Sequence, residues 1–461
     1  MKDLISKTPI LFYSTNHTAK RLTFSEALLQ GLAPDKGLYM PGEIPVFTPE
    51  EIEHFTDKEY YEIAFEVCSK FLAGQITDED LMAIVKDAYN YDIPLEPVYE
   101  RKYILRLDQG PTASFKDFAA RMMGRLMQYY LKKEMRELLI LTATSGDTGS
   151  AVASAFYGLD NINTVILFPE SEVTDRQRKQ MTTLGKNVHV LAIDAKFDDC
   201  QALVKEAFTD PDLFSLNLSS ANSINIGRLI PQTIYYFYAF ARLRLGNPEE
   251  KIIFSVPSGN FGDMMGGVLA MKMGLPVERF IIATNENDEF PKYVKTGVYE
   301  KIEPSRNCIS SAMNVGHPSN LVRLIALYDG QMDETGKIVR QADLYRMRNE
   351  IFPVSISDIR TKETIGEAYM NYHLLLEPHG AVGWAGLMEY LKIHPEDDVP
   401  NQLFVSLETA HPAKFPKEIL DIIGIDPPLP PSLQGLESKP EICKKIENDY
   451  QSFKDYLQKT F

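Results

Sequence analysis

The feature that most constrains the fold is an alternation of two sequence patterns that begins near residue 100. Short apolar runs alternate with stretches in which apolar residues recur at helical spacing. The apolar runs are 138–142, 164–168, 188–193, 252–256, 280–283 and 403–407, and helical patterns at 175–184, 197–208 and 262–273 lie between several of them. Such alternation is typical of βαβ units, so it predicts an α/β fold with parallel sheets that helices cover on both faces.

The same patterns divide the chain into units. We expect residues 1–95 to form an N-terminal unit, in which Tyr60–Leu72 is a helix with one apolar stripe. Residues 96–425 form the main unit, with a smaller lobe at about 110–215, because 140–210 is a compact alternating block of its own. The proline-rich run 426–431 fits neither a helix nor a central strand, so 426–461 is a tail, with a polar helix at about 439–460.

Charge and composition exclude several classes of protein. The chain has 48 Lys and Arg against 64 Asp and Glu, a net charge of −16, which disfavours a nucleic-acid binder. No apolar run approaches the length of a membrane helix, and residues 1–7 do not resemble a signal peptide. The four cysteines are too scattered for a zinc site or a disulfide framework, so we expect no metal and a reducing, cytoplasmic compartment.

The segment 110–118 contains Lys116, the residue most informative about chemistry. It follows a Gly-Pro turn and precedes a helical pattern, with Thr112 or Ser114 as candidate N-cap. The helix would begin beyond the predicted strand 103–107, where open α/β sheets bind ligands. The positive end of its dipole would lower the pKa of the Lys116 amine, as a Schiff-base lysine requires. A solvated surface lysine is the alternative for Lys116 alone.

A second loop lies between the predicted strand 138–142 and a predicted helix at 150–157. It contains Ser145, Gly146, Asp147 and Thr148. Small and hydroxyl residues at such a turn can bind an anion through backbone N–H groups and the helix dipole. A plain turn capped by Asp147 or Thr148 is the alternative.

A third loop directly follows the predicted strand 252–256. It contains Gly259, Asn260, Phe261, Gly262 and Asp263. Two glycines spaced in this way let backbone N–H groups close around a phosphate at the start of the next helix. A glycine pair alone would be weak evidence, and its position after a strand strengthens it.

The Lys116 segment resembles a known family. Pro111-Thr112-Ala113-Ser114-Phe115-Lys116-Asp117 looks like the cofactor-lysine motif of fold-type II pyridoxal-phosphate enzymes, and its continuation to residue 120 looks specifically like threonine synthases. Segments 27–39, 222–228, 283–288, 311–320 and 407–416 resemble the same family in the same order. The resemblance implies a tryptophan synthase β-like fold, with two parallel-sheet catalytic lobes and an N-terminal domain, and pyridoxal 5′-phosphate held by Lys116.

The resemblance also implies roles for other residues. The 259–263 loop would hold the cofactor phosphate, and the hydroxyl of Thr409 would bond the pyridine nitrogen and leave it unprotonated. Substrate contacts would come from Ser114, Ser145, Gly146, Asp147, Thr148, Asn222 and Arg228. Asn222 and Arg228 would take the substrate phosphate, with a surface arginine on a helix at 229–240 as the alternative for Arg228. For His411 we favour a packing role in the turn. For Lys414 the sequence leaves two roles open, a surface lysine and a phosphate contact.

The implied function is conversion of O-phospho-L-homoserine and water to L-threonine and phosphate, with Lys116 as the base. A related phospho-amino-acid lyase, which would release a keto acid, ammonia and phosphate, remains an alternative. A non-catalytic binding protein would need a broken cofactor site, which the intact motifs argue against. We expect a monomer or homodimer whose partner is the small-molecule substrate.

Overall fold

The computed structural model describes residues 8–144 and 146–461. The expectations for residues 1–7 and for Ser145 therefore fall outside the described residues. The helices and strands up to residue 99 are β1 (Phe12–Ser14), α1 (Phe24–Gln30), β2 (Tyr39–Pro41), α2 (Pro49–Glu53), α3 (Tyr60–Leu72), α4 (Asp78–Ala88) and β3 (Leu95–Tyr99). They are followed by β4 (Lys102–Arg106), α5 (Lys116–Glu134), β5 (Leu138–Ala143), α6 (Asp147–Phe156), β6 (Ile162–Pro169), α7 (Asp175–Thr182), β7 (Val188–Ile193), α8 (Phe197–Thr209) and β8 (Leu218–Ser219).

The remaining elements complete the main unit and the tail. They are α9 (Ile226–Leu229), α10 (Ile234–Leu243), β9 (Ile252–Pro257), α11 (Gly262–Lys272), β10 (Val277–Thr284), α12 (Glu289–Thr296), α13 (Leu321–Leu327), β11 (Gln331–Met332), β12 (Ile338–Arg340), α14 (Leu344–Glu350), β13 (Ile351–Ser355), α15 (Asp358–Tyr372), α16 (Pro378–Ile393), β14 (Leu403–Glu408), α17 (Pro416–Ile423), β15 (Lys444–Ile446) and α18 (Tyr450–Thr460).

Two sheets form the two lobes. The larger has the order β13-β10-β9-β14-β4-β3, and its pairs are parallel except the edge pair β3–β4. The smaller has the order β15-β7-β6-β5-β8, with every pair parallel. The α/β prediction with two parallel-sheet lobes is therefore confirmed.

The side chains of the central strands alternate between two apolar clusters, one on each face of the sheet. Helices therefore cover both faces. In β9, Ile253 lies in a cluster with Trp384 of α16, whereas Phe254 packs in the main core. In the smaller sheet, Leu167 contacts the cluster that contains Phe453 of α18, and its neighbour Phe168 faces the opposite side. Because both faces of these strands are buried, their sequences are continuous apolar runs.

The N-terminal part packs directly on the main unit. Its apolar residues belong to the same continuous core as those of α5 and α10. The rings of Tyr60 on α3 and Phe118 on α5 have centroids 5.6 Å apart. Because Phe118 lies in the first turn of the Lys116 helix, this packing fixes the helix start that carries the lysine.

Three predicted elements were wrong. The helix at 229–240 is instead α9, a 3-10 turn at Ile230–Thr233, and α10. Pro231 has no N–H for a helical hydrogen bond, so it interrupts the helix there. The helix at 150–157 begins earlier, at Asp147. The tail helix is only Tyr450–Thr460, and the unpredicted strand β15 precedes it at the edge of the smaller sheet.

Candidate active site

The candidate site lies where strands of both sheets end. Lys116 begins α5 in the stretch that follows β4, and Thr409 directly follows the neighbouring strand β14. The N–H of Phe115 donates to the Thr409 carbonyl at 2.9 Å, and the N–H of His411 donates to the Ala113 carbonyl at 3.0 Å. These bonds hold the Lys116 segment and the 409–411 segment side by side, as the sequence motifs require.

The Lys116 amine is enclosed but not hydrogen-bonded to a carboxylate. Its side chain is 13% exposed, and its Nζ lies 3.8 Å from Asp147 Oδ2, beyond hydrogen-bond distance. The amine also lies 4.7 Å from the centroid of the Phe115 ring. Burial lowers the pKa of Lys116; Asp147 opposes this shift, and Lys414 and Arg228 add to it. This shift is in the direction that the Schiff-base reaction needs, because that reaction uses the neutral amine.

The predicted capping of α5 by Thr112 or Ser114 is wrong. The N-cap is Phe115, which makes no side-chain cap bond. Thr112 instead donates from its N–H at 2.8 Å and its hydroxyl at 2.6 Å to the buried carboxylate of Asp117. The hydroxyl of Ser114 is buried without a hydrogen-bond partner in the described part of the chain, so it is free to bind a ligand beside Lys116.

The loop before α6 is shaped by glycine rather than by a capping side chain. Gly146 is the N-cap with a φ of 134°, so the alternative of a turn capped by Asp147 or Thr148 is wrong. The Thr144 hydroxyl accepts from the N–H groups of Gly146 at 2.9 Å and Gly149 at 2.7 Å. A side chain at Gly146 would lie 2.6 Å from Gln177. Both the positive φ and this close approach require glycine there.

The Asp147 carboxylate is bonded by other side chains of the protein. Its Oδ1 lies 2.6 Å from Lys414 Nζ and accepts a hydrogen bond from Gln177 Nε2 at 2.9 Å. Burial raises the pKa of Asp147, but Lys414 and Lys116 outweigh burial and hold that pKa well below its ordinary value. The carboxylate is therefore neutralised inside the protein, and a nearby substrate carboxylate would not face a bare negative charge.

Lys414 is not a surface lysine. Its side chain is 0% exposed, and besides the ion pair with Asp147 its Nζ donates to the Thr112 carbonyl at 2.9 Å. His411 does pack in the turn, where its Nδ1 accepts from the Ala413 N–H at 3.1 Å. Burial lowers the pKa of His411 to about 4, with Arg106 and Lys414 adding to the shift. His411 is therefore neutral near pH 7.

The 259–263 loop presents backbone donors. The N–H groups of Gly259, Asn260 and Phe261 donate to no other described residue, and Phe261 adopts a φ of 62° as the N-cap of α11. A side chain at Gly259 would lie 2.8 Å from the backbone of Met313. Helix α11 begins at Gly262, so its positive end adds to these free donors. Such a cradle fits a phosphate group.

The loop is supported by two segments whose role the sequence left unassigned beyond polar support. The Asn260 carbonyl accepts from Asn320 Nδ2 at 2.9 Å, which joins the 311–320 segment to the loop. Asn285 Nδ2 donates to Asn314 Oδ1 at 3.0 Å. The Asp263 carboxylate accepts from the hydroxyls of Tyr235 at 2.6 Å and Tyr236 at 2.7 Å, and burial raises its pKa to about 6.

Arg228 is a buried cation without an anion. It is 3% exposed, its Nη1 donates to the Ala221 carbonyl at 2.8 Å, and its Nε has no partner in the described residues. Among the described residues no carboxylate lies within ion-pair distance of it, and burial lowers its pKa to about 10. Asn222 Oδ1 is likewise buried without a described partner. Unsatisfied buried groups are costly, so they indicate a place for a ligand.

Sequence reasoning missed Arg323, which is 0% exposed. Its guanidinium donates to Ile224 O at 2.7 Å, to Ser223 O at 3.1 Å, to Tyr39 O at 3.0 Å and to Asn320 Oδ1 at 2.7 Å. It thus joins the N-terminal part, the segment before Arg228 and Asn320, which supports the 259–263 loop. A charged residue inside the apolar run of α13 was the available signal.

Comparison with known proteins places the whole chain in one group. The family described as threonine synthase N terminus matches residues 11–89, pyridoxal-phosphate dependent enzyme matches 96–400, and threonine synthase, C-terminal matches 380–457. A threonine synthase of Haemophilus influenzae is 38% identical, over 97% of this chain and 99% of that protein. That of Saccharomyces cerevisiae is 34% identical, over 86% and 85%.

Solved structures agree with these sequence matches. The PLP-bound threonine synthase from Brucella melitensis superposes with a TM-score of 0.90 at 36% identity, covering 98% of this chain and 99% of that one. The threonine synthase from Escherichia coli gives a TM-score of 0.86 at 34% identity, covering 98% and 100%. The similarity therefore extends over the N-terminal part, both lobes and the tail.

Proposed function

The chain belongs to the threonine synthase family, and we propose that Lys116, Arg228 and the 259–263 loop carry out the family's reaction in it. The enzyme is a pyridoxal-phosphate-dependent lyase of threonine biosynthesis that converts O-phospho-L-homoserine and water to L-threonine and phosphate. The roles of individual residues are our proposal, supported by their burial and free hydrogen-bonding groups.

The residues of the site fit pyridoxal 5′-phosphate. Lys116 offers a buried amine with a lowered pKa, and the free N–H groups of the 259–263 loop offer donors for the phosphate. The Thr409 hydroxyl makes no hydrogen bond to another described residue, so it is available to the pyridine nitrogen. When bound, the cofactor supplies an electron sink for charge that develops on the substrate carbons. Lys116 would hold it covalently.

The chain's own groups supply proton transfer and substrate binding. The free Lys116 amine would serve as the base for the substrate's α-proton and for the second deprotonation at Cβ. Ser114 and the loop at 146–148 bind the substrate carboxylate, with α6 directing its positive end towards that group. Lys116 is the one base we propose.

The observation that carries the proposal is the unpaired buried guanidinium of Arg228. Its free Nε and the neighbouring Asn222 Oδ1 lie buried, and Arg228 is close enough to Lys116 to lower the pKa of that amine. A planar guanidinium is suited to a phosphate, which it can bind through two parallel hydrogen bonds. In a protein of net charge −16, such a local cation offsets the repulsion of a doubly charged substrate.

Product analysis tests the function. The purified protein, loaded with pyridoxal phosphate, is incubated with O-phospho-L-homoserine, and threonine, phosphate, keto acid and ammonia are quantified together. We expect threonine and phosphate in equal amounts. Keto acid and ammonia with phosphate, and no threonine, would contradict the proposal and support the lyase alternative.

We further infer a cytoplasmic enzyme that acts on a small molecule as a monomer or homodimer and does not bind nucleic acid. None of the described helices combines the length and apolar character that a bilayer span requires. The cysteines Cys68, Cys200, Cys308 and Cys443 are free, as a reducing compartment favours. Cell fractionation and light scattering test compartment and assembly, and retention on DNA-cellulose would contradict the last inference.

A further inference from the structure

One carboxylate of the site faces two lysines but bonds only one of them. Asp147 Oδ1 lies 2.6 Å from Lys414 Nζ, whereas Asp147 Oδ2 lies 3.8 Å from Lys116 Nζ. The first distance is that of a charge-assisted hydrogen bond, and the second is too long for one. All three side chains are largely or fully buried, so solvent screens the interactions little.

From this arrangement we propose that Lys414 is a positioning residue that captures Asp147 and thereby keeps the amine of Lys116 uncharged when it is free. The inference rests on the proposed function, in which Lys116 is the base. An ammonium cannot accept the α-proton, so a Lys116 that formed its own ion pair with Asp147 would be inactive.

The hydrogen bonds around the pair hold it in this state. Lys414 Nζ also donates to the Thr112 carbonyl at 2.9 Å, and Gln177 Nε2 donates to Asp147 Oδ1 at 2.9 Å. Asp147 Oδ1 therefore has two donors on the side away from Lys116. The charge of Lys414 opposes that of Asp147 at the Lys116 amine, whereas Asp147 without this partner would favour the ammonium form of Lys116 more strongly.

The other charged groups around Lys116 do not replace Lys414. Those that act on its amine are Asp147 on α6, Lys414 after β14, Arg228 on α9, Glu377 at the start of α16 and Asp263 on α11. Glu377 accepts from the backbone N–H groups of His379 and Gly380, and Asp263 accepts from two tyrosines. Lys414 alone among them bonds the carboxylate nearest to Lys116.

The test is the pKa of the Lys116 amine in the full-length protein without cofactor. Competitive labelling with acetic anhydride across a pH series, with the Lys116 peptide quantified by mass spectrometry, gives this pKa without turnover. Lys414→Met removes the cation that pairs with Asp147, so the full negative charge of Asp147 acts on Lys116. We therefore expect the pKa of the Lys116 amine to rise by roughly one to two units. At neutral pH the free-amine fraction would then fall about tenfold or more.

Three further variants separate this role from a structural one. Asp147→Asn should lower the pKa of Lys116. If Lys414→Met does not fold, this variant tests whether the charge of Asp147 sets that pKa. The double variant Asp147→Asn/Lys414→Met removes both charges and should return the pKa to within about half a unit of the wild-type value. Lys417→Met, at an exposed neighbouring lysine, is the matched control and should change nothing.

Two results would overturn the inference. One is a Lys414→Met protein that folds and whose Lys116 keeps the wild-type pKa, because a merely structural lysine would lower stability without moving that pKa. The other is an Asp147→Asn protein whose Lys116 pKa is not lowered. Failure of the wild-type protein to form threonine would instead refute the proposed function, and the labelling result would still stand.

Discussion

The backbone N–H of Phe115 donates to the carbonyl of Thr409 at 2.9 Å, and this bond sets the lysine that follows Phe115 beside the end of β14. The bond uses only backbone atoms of Thr409, so its hydroxyl stays available for a ligand. The two residues come from opposite ends of the main unit. Their contact brings the Lys116 segment, in which we propose the base, and the Thr409 hydroxyl, which we propose as a cofactor contact, into one site.

Thr409→Asp tests the role of that hydroxyl. A carboxylate at this position would hold the pyridine nitrogen protonated and strengthen the electron sink, so we expect threonine formation to fall at least about tenfold, with keto acid as a new side product. Thr409→Ser keeps the hydroxyl and is the matched control. Unchanged products and an unchanged rate for Thr409→Asp would show that residue 409 does not contact the pyridine nitrogen.

Lys116→Ala should abolish the visible absorption of the bound cofactor. It should also lower kcat by roughly a hundred- to ten-thousandfold, because the base is lost. Lys132→Ala, at an exposed lysine of the same helix, should leave both properties unchanged. Turnover at the wild-type rate in the Lys116 variant would end the assignment.

Arg323→Leu tests the buried hydrogen-bond cluster. The change leaves the carbonyls of Tyr39, Ser223 and Ile224 without their donor, so we expect the free energy of unfolding to fall by roughly 2–4 kcal/mol. KM for phosphohomoserine should rise because the segment before Arg228 loses its anchor. Arg323→Lys should rescue little, since one ammonium cannot reach all these oxygens. If urea unfolding gives the Arg323→Leu variant the wild-type free energy of unfolding, the hydrogen-bond cluster does not stabilise the fold.

His411→Asn tests a pH effect on stability. Burial lowers the pKa of His411 from 6.5 to about 4, so the unfolded chain binds the proton more tightly than the folded one. The stability due to neutral His411 is therefore present above pH 6.5 and is lost as pH falls towards 4. Asn retains an acceptor for the Ala413 N–H but does not titrate. Urea unfolding between pH 7 and pH 4 should show a shallower loss of stability in the variant, and an unchanged slope would contradict this.

Local patterns predicted the elements that bury both faces of a strand or one stripe of a helix. The strand Val188–Ile193 and the helix Tyr60–Leu72 have the predicted bounds, because burial of their apolar residues decides their structure. The strand Lys444–Ile446 was missed because an exposed edge strand that begins with two lysines has no apolar run to mark it. The helix predicted at 229–240 is interrupted because Pro231 has no N–H to donate, although the apolar pattern continues across it.

The sequence predicted which residues form the candidate site, but not the hydrogen bonds and ion pairs between them. Lys116, Arg228 and Thr409 are recognisable from local motifs. The partner of Asp147 was not, because Lys414 lies far along the chain and only the packing of the two lobes brings them together. The capping predictions failed for a related reason: the Thr112 side chain bonds Asp117 instead, and Gly146 rather than a capping side chain begins α6.

We propose that the substrate phosphate and the cofactor phosphate bind at separate places, the first at Arg228 and Asn222 and the second at the 259–263 loop. The most direct test measures cofactor content and kcat/KM for phosphohomoserine together in Arg228→Ala. Loss of a charge-assisted hydrogen bond or two, worth roughly 2–4 kcal/mol, should lower kcat/KM on the order of a hundredfold, with cofactor content at the wild-type level. Loss of the cofactor, or an unchanged kcat/KM, would contradict the claim.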